Sequence, residues 1–418
     1  MRILVISNFY PPHELGGQGR SCQQVVDGLR QRGHEVVVLT SMHGTNNRPV
    51  EQDNVFRSLY LEMDFTPWRH GLIFFTQRKK RERANLGHFQ RLLTSFEPDV
   101  VFVWGMWNLP RSLPAQIEKQ CPGKVLYRFA EYWPTLPSQH KLYWLSPGRK
   151  WFTHLPKKVV GLFALMLLAR EQRQFPLQFE HVYCVSEATR NELVAAGLPV
   201  ADAHIIHTGL DVHPFANSSP PQWKQEDATR LLYAGRLYPE KGVETIIEAM
   251  AKLVFEEHLS HLHFDVAGSG REEYQEQLNR LVRRLALTDH ISFLGQVPAG
   301  DMPALLKRAN ILVVPSLWAE PFARVVLEGM AASAVVVAAS TGGTGEIVVD
   351  GENGLLFSPG NSEELARQIM RLVMDPDLQQ RLGCAGYQTV TSKFTFPTML
   401  DSIEALLGSV ANTRLPVK

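Results

Sequence analysis

The 418-residue chain is too long for one ordinary hydrophobic core and fits two domains of about 200 residues each. With 44% hydrophobic and 20% charged residues, and no run of about 18 uninterrupted apolar residues, it reads as a soluble globular protein without a membrane-spanning helix. Residues 1–200 hold 25 Lys and Arg against 16 Asp and Glu, and residues 201–418 hold 18 against 26, so a net charge of +1 conceals halves of +9 and −8. That split fits two lobes that face each other, or a basic first half that meets an acidic acceptor or an anionic membrane surface. Nucleic acid is not an expected partner.

The opening run Met1-Arg2-Ile3-Leu4-Val5-Ile6-Ser7-Asn8 has the pattern of a buried strand and not of a signal peptide, which predicts a cytoplasmic protein. A loop with Pro11, Pro12, His13 and Glu14 leads to Gly16-Gly17-Gln18-Gly19 and a helix over residues 20–31. Glycines at a helix start let backbone approach a ligand closely, although the G-x-G-x-x-G spacing is missing and a plain glycine turn is the other reading. Further strands are predicted at 35–40, 98–104, 124–127, 181–185 and 204–207. Two stretches interrupt the alternation. Residues 68–83 combine Trp68, Phe74 and Phe75 with Arg69, Arg78, Lys79, Lys80, Arg81 and Arg83, and residues 141–173 combine Trp144, Trp151 and Phe152 with Arg149, Lys150, Lys157 and Lys158. They fit helices docked on a membrane surface or buried helices with a solvated charged face, and the cluster at 78–83 also fits an anionic acceptor.

Residues 213–229, with Pro214, Ser218, Ser219, Pro220 and Pro221, read as a linker. A second strand series follows at 230–235, 263–266, 290–294, 311–315 and 334–338. Strands alternating with amphipathic segments predict an α/β protein of two Rossmann-like parallel-sheet domains. The expected division is 1–212, a linker at 213–229, 230–394, and a C-terminal helical segment at 395–418. Cys22, Cys121, Cys184 and Cys384 are far apart without a Cys-x-x-Cys or His pairing, so they read as reduced core residues and neither zinc nor a disulfide framework is indicated.

Chemistry concentrates in the second series. Arg236 and Lys241 follow a predicted strand and precede a helix, a place where ligands of parallel sheets collect, and two cations there suit a diphosphate. Surface loop cations paired with Glu240 and Glu244 are the bland alternative. Glu320 and Glu328 stand eight apart around Pro321, which predicts a helix starting near Phe322 with its free amides at an anion site. Both acids then suit hydroxyls of one ligand from different heights, or else a favoured helix start and a solvated helix residue. A glycosidase with two catalytic carboxylates is the rival chemistry, and the cationic surroundings argue against it. Gly268-Ser269-Gly270 is a weak nucleotide candidate, and Asp375-Pro376-Asp377 reads as a helix cap and not as a metal site.

These runs resemble the retaining glycosyltransferases of glycosyltransferase family 4, which have the GT-B fold. The likeness rests on Gly235-Arg236-Leu237 with Lys241-Gly242, Pro315-Ser316 with Glu320-Pro321-Phe322, Glu328, Gly342-Gly343 with Glu346-Ile347-Val348, and Asp350-Gly351-Glu352-Asn353-Gly354. Pro11-Pro12, Gly33-His34-Glu35-Val36, Pro98-Asp99 and Val185-Ser186 extend it over the first half. The resemblance implies two lobes around a cleft, with Arg236 and Lys241 on the donor diphosphate, Glu328 on the ribose and Glu320 on the transferred sugar. It further implies amides of Phe322, Ala323 and Arg324 on sugar and phosphate, Gln296 and Val297 near the base, and Gly16 and Gly17 brought to the diphosphate. Glu131, Tyr132 and Trp133 are placed at the acceptor, and residues 395–418 are expected to return to the first lobe. Ala130 stands where many members have histidine, Ala323 where glycine is frequent, and His207-Thr208-Gly209 where Pro-Asn-Gly is usual.

The expected activity is transfer of a sugar from a UDP- or GDP-sugar to a carbohydrate, glycolipid or sugar-phosphate hydroxyl, with retention and without metal or other cofactor. A non-catalytic nucleotide-sugar binding protein is the alternative that Ala130 raises, and a phosphorylase or epimerase is the other.

Overall fold

A computed structural model describes residues 1–13, 16–64, 69–148, 151–172, 176–215 and 229–413. Glu14, Trp68, Arg149, Lys150, the side chains of Trp151 and Phe152, residues 216–228 of the expected linker and residues 414–418 lie outside the described residues. The chain divides into two compact units, one of Met1–Cys184 and Arg190–Ile205 with the chain from Leu400 on, the other of Val185–Thr189 and Ile206–Met399.

The first unit is built on an eight-stranded sheet. Its strands are β1 (Arg2–Ser7), β2 (Glu35–Ser41), β3 (Val50–Gln52), β4 (Val55–Leu59), β5 (Val100–Gly105), β6 (Val125–Phe129), β7 (His181–Cys184) and β8 (His204–Ile205). They lie in the order β3-β4-β2-β1-β5-β6-β7-β8, parallel except for the antiparallel β3/β4 pair. Ile3, Leu4, Val5 and Ile6 are all buried, because helices cover both faces of a parallel sheet and leave no polar alternation along its central strands. The β3/β4 hairpin, absent from the sequence expectation, turns on Asp53 and Asn54 at φ 52° and 60°, the paired positive values of a type I′ turn. The first helix spans Gly17–Gln31 and so starts three residues before the expected position. The chain from Leu400 on is fixed in this unit by Arg32, which donates to Asp401 at 2.6 Å and Glu404 at 2.5 Å, and by a 2.7 Å contact of His34 with Glu404.

The second unit has six parallel strands, β9 (Thr229–Ala234), β10 (Leu262–Ala267), β11 (Ile291–Gly295), β12 (Ile311–Val314), β13 (Val335–Ala339) and β14 (Leu355–Phe357), in the order β11-β10-β9-β12-β13-β14. Alternate residues feed two cores. Leu231, Tyr233, Val313 and Val337 join one apolar cluster, while Leu232, Ala234, Leu312, Val314, Val336 and Ala338 join the other. The chain winds outward from β9 through β10 to β11, then returns beside β9 with β12 and winds the other way. The carboxyl ends of β9 and β12 therefore flank the switch point, where open α/β sheets leave a crevice for ligands. In the first unit the same reversal falls between β1 and β5.

Candidate active site

Arg236 and Lys241 leave β9, and Glu320 leaves β12, so the winding of the second sheet brings together residues 79 positions apart. The loop after β9 is zipped to the loop after β10, Gly235 N–H donating to the Ala267 carbonyl at 3.0 Å and Leu237 N–H to that of Ser269 at 2.9 Å. A Cβ at Gly268 would stand 1.7 Å from the Gly235 carbonyl oxygen, and one at Gly270 1.8 Å from that of Leu237. Close backbone packing therefore requires glycine at both positions.

Lys241 ends a single 3-10 turn, Pro239–Lys241, and Gly242 follows at φ 67°. Any side chain at Gly242 would strike the Pro315 carbonyl oxygen, at 2.3 Å from the Cβ position, so the turn presses directly on the end of β12. There Lys241 Nζ donates to Glu320 Oε1, and Ser316 Oγ donates to the same oxygen at 2.6 Å. Neither contact uses Oε2. Both charged side chains are largely buried, so removing one of them would strand the other away from water and the pair is costly to break from one side. The Glu240 and Glu244 partners expected for the two cations are not used in this way: Glu244 accepts from the Tyr274 hydroxyl, and Glu240 offers its backbone carbonyl to Leu317 N–H at 2.9 Å.

The backbone of Glu320 is held from β13. Gly343 N–H donates to the Glu320 carbonyl at 2.8 Å, and a Cβ at Gly342, at φ 50°, would meet that oxygen at 2.2 Å. Ser186 Oγ, also in the second unit, donates to the Pro321 carbonyl at 2.6 Å. The Gly342-Gly343 and Val185-Ser186 runs thus position the Glu320-Pro321 segment.

The helix after Pro321 is Arg324–Ala331, which corrects the expected start near Phe322. Ala323, at φ −80° and ψ 84°, centres an inverse γ-turn in which Arg324 N–H donates to the Phe322 carbonyl at 3.0 Å. That turn delays the helix and engages the Arg324 amide, one of the three donors expected to face sugar and phosphate. Phe322 is half-buried, with its ring stacked on His207 at 5.5 Å, and Ala323 is buried. Glu328 lies one turn into the helix and accepts from Arg324 Nε at 3.1 Å. Burial pushes its carboxyl upward, and Arg324 opposes that shift.

Arg236 is exposed, with its guanidinium 5.4 Å from the centre of the Tyr238 ring, which Arg271 also faces at 5.9 Å. Arg271, Tyr238 and the role of Ser316 were not read from the sequence. For Ser316 the Pro315-Ser316 run at a strand end was a usable signal. Gln296 is exposed after β11, two strands from the switch point, and Val297 packs into the second core. Among the described residues no three His, Cys, Asp or Glu are grouped as a metal ion would need, and Asp375 caps its helix by accepting from Leu378 N–H at 2.9 Å.

The first unit holds the remaining candidates. Gly16 sits at φ 75° before its helix, and a Cβ at Gly16 or Gly17 would meet nothing within 4 Å, so open space lies over that helix start. Glu131 follows β6 with its Oε1 buried and unpartnered among the described residues. Burial lifts its carboxyl to about 7, against the pull of Arg128 and the Trp107 amide. Tyr132 is half-buried, while Trp133 is buried against Phe129 and Phe179, so its ring belongs to the core. The basic cluster at 78–83 is largely neutralised: Arg78 and Lys79 pair with Glu171 and Glu82, and Arg81 with Asp64.

Residues 15–213 match the family model Glycosyltransferase Family 4, and residues 216–389 match Glycosyl transferases group 1, which together span nearly the whole chain. The chain belongs to the family 4 glycosyltransferases. This glycosyltransferase is 28% identical to the glycogen synthase of Mycobacterium tuberculosis over 414 residues, 96% of this chain and 92% of that one. Sucrose-phosphate synthase from Thermosynechococcus elongatus matches its fold with a TM-score of 0.72 at 20% identity, over 98% of both chains. Anabaena HepE in complex with UDP does so with a TM-score of 0.68 at 22% identity, over 98% of this chain and 100% of that one. The glycosyltransferase has the GT-B fold, two parallel-sheet α/β units, as the resemblance implied.

Proposed function

We propose that this glycosyltransferase retains anomeric configuration, needs no metal, and moves a sugar from a nucleoside diphosphate sugar to a hydroxyl acceptor. The observation that carries this reading is the group Lys241, Glu320 and Ser316 at the switch point, with Arg236 at the mouth of the same strand. A departing diphosphate gains negative charge in the transition state, and Lys241 with Arg236 stabilises it there more than in the ground state. Glu320, fixed through Oε1, keeps Oε2 for hydroxyls of the transferred sugar, and Glu328 serves the ribose. Gln296 lies towards the base, and the space over Gly16 and Gly17 suits the phosphates. HepE was solved with UDP, which makes UDP-sugars the first donors to test.

The acceptor hydroxyl attacks the anomeric carbon on the face from which the diphosphate leaves. Its proton passes to a phosphate oxygen of the leaving group, so no carboxylate nucleophile is required. A glycosidase pairing of Glu320 with Glu328 fits less well, because Glu320 is already the counter-ion of Lys241 and Glu328 that of Arg324. The Glu131 carboxyl, lifted to about 7 and with its Oε1 unpartnered among the described residues, is the polar group we assign to the acceptor side, where Ala130 supplies none. Calorimetric titration of UDP and GDP, followed by assay of UDP release from UDP-sugars with and without hydroxyl acceptors, tests the reading. Donor binding without release of nucleoside diphosphate under any acceptor would favour a binding protein instead.

A further inference from the structure

The first unit carries an apolar face that no described residue covers. Along the helix Trp151–Gln172, Leu155, Val159, Leu162 and Met166 follow one another at helical spacing and are each more than half exposed. That spacing aligns them on one side of the helix, over about 17 Å of its length. The other side is apolar as well, with Ala164 buried against Phe74 and Trp144. A helix apolar on both sides is ordinarily enclosed, and this one leaves one side open. The open face continues onto a second helix, His70–Thr76, where Phe75 stacks on Phe163 with ring centres 6.4 Å apart and Leu72 is 70% exposed. Single exposed apolar side chains are ordinary, whereas a contiguous patch built from two helices marks a surface of interaction.

The charges bordering the patch are of one sign. The sequence has no Asp or Glu between Tyr132 and Arg170, and none between Arg69 and Arg81. Lys158 lies one turn from both Leu155 and Leu162, and Arg170 lies one turn beyond Met166 on the same side of the helix. Both cations are exposed, and neither has an ion pair among the described residues. Lys141, on the helix Gln139–Leu145, is a further exposed cation, while Lys157 turns inward, 4.1 Å from the Tyr143 ring centre and 2.9 Å from Ser146 Oγ. The acid that follows on the long helix, Glu171, is already held by Arg78 and Lys79.

That charge pattern selects the occupant. In a twofold contact with a second copy each surface meets itself, so Lys158 and Arg170 would face cations with no carboxylate to receive them. A lipid surface meets both features at once, because apolar side chains enter the boundary of the acyl region and cations reach anionic headgroups. No described helix is long and apolar enough to cross a membrane, so the contact is with one surface only. We propose that this face docks the protein on a bilayer containing anionic phospholipid, with Leu155, Val159, Leu162 and Met166 at the headgroup boundary and Lys158 and Arg170 on the headgroups. The docking face is separate from the Lys241–Glu320 group and stands whether or not that group binds a nucleotide sugar.

The test is co-sedimentation of the full chain with vesicles of phosphatidylcholine alone and of phosphatidylcholine mixed equally with phosphatidylglycerol, at about 0.1 M salt. Binding to the anionic vesicles is expected to be at least tenfold tighter, and to weaken as salt is raised. Leu162→Asn combined with Met166→Asn should weaken that binding at least tenfold, and so should Lys158→Ala combined with Arg170→Ala. Met374→Asn, at an exposed methionine of the second unit, should bind as the parent does. All the substituted side chains are exposed, and urea melts check that each variant folds. Absence of binding to anionic vesicles, equal binding to both vesicles, full binding by either double variant, or loss in Met374→Asn would each overturn the proposal. A lipid-free dimer in sedimentation velocity that Leu162→Asn with Met166→Asn dissolves, without vesicle binding, would assign the face to a second copy instead. UDP affinity, measured on every variant, keeps failure of docking distinct from failure of the donor reading.

Discussion

Replacing Lys241 by alanine removes the cation at the carboxyl end of β9 and leaves Glu320 with Ser316 as its remaining partner on Oε1. Two separate costs follow, one for each partner of that lysine. A charge-assisted bond to the diphosphate is lost, which costs about 1.5–3 kcal/mol, or roughly a 10- to 150-fold weaker UDP affinity. The free enzyme also loses its largely buried ion pair, and stranding one partner of such a pair costs about 3–5 kcal/mol, reduced here by the Ser316 hydroxyl and the residual exposure of both side chains. Because Glu320 competes with phosphate for Lys241, Glu320→Gln should behave oppositely and bind UDP as tightly as the parent or more tightly. Calorimetric UDP titration of the two single variants and the double variant separates these terms, with urea melts to read stability. Equal UDP affinity in the parent and Lys241→Ala would refute the reasoning, as would UDP weakened by Glu320→Gln.

Three further outcomes are expected. Glu320→Gln should lower the rate of sugar transfer at least tenfold while leaving UDP bound, since it removes a carboxylate contact with the sugar and not with the nucleotide; normal turnover would remove Glu320 from the sugar pocket. Incubation with EDTA should leave transfer unchanged, and loss of activity restored by Mg²⁺ would contradict the metal-free mechanism. Glu62→Gln should alter the pH dependence of stability. The buried carboxyl, lifted to about 7, keeps its proton in the folded chain where an unfolded carboxyl has lost it, so the parent loses stability as pH rises from the ordinary carboxyl range to about 7. The variant lacks that loss, and its melting advantage should grow between pH 5 and 8 by up to about 3 kcal/mol; a constant difference across that range would show that Glu62 does not titrate there.

The parallel sheets were legible because buried strands write continuous apolar runs, as Ile3 to Ile6 and Ile311 to Val314 do. Short or exposed strands carry no such mark. All three residues of β3 are exposed, and only the Asp53-Asn54 turn could have announced its hairpin. Pro321 misplaced the helix start because a fixed φ permits a turn as readily as a helix, and the inverse γ-turn at Ala323 intervened. Lys241 and Glu320 were both singled out, yet their direct pairing required the strand order, which local sequence does not state. The same holds for Arg78 and Glu171, 93 positions apart, whose pairing turned an apparent anion site into a neutralised cluster. Gly268 and Gly270 have a packing reason that local sequence does not state, the carbonyls of Gly235 and Leu237 in the neighbouring loop.

The account stands most directly on the stereochemistry of transfer. A panel of UDP-, GDP- and ADP-sugars ranked by thermal shift identifies the donor, and proton NMR of the product formed from that donor reads the anomeric linkage. The account predicts an α-linked product from an α-linked donor, with one nucleoside diphosphate released per linkage formed. A β-linked product would contradict it.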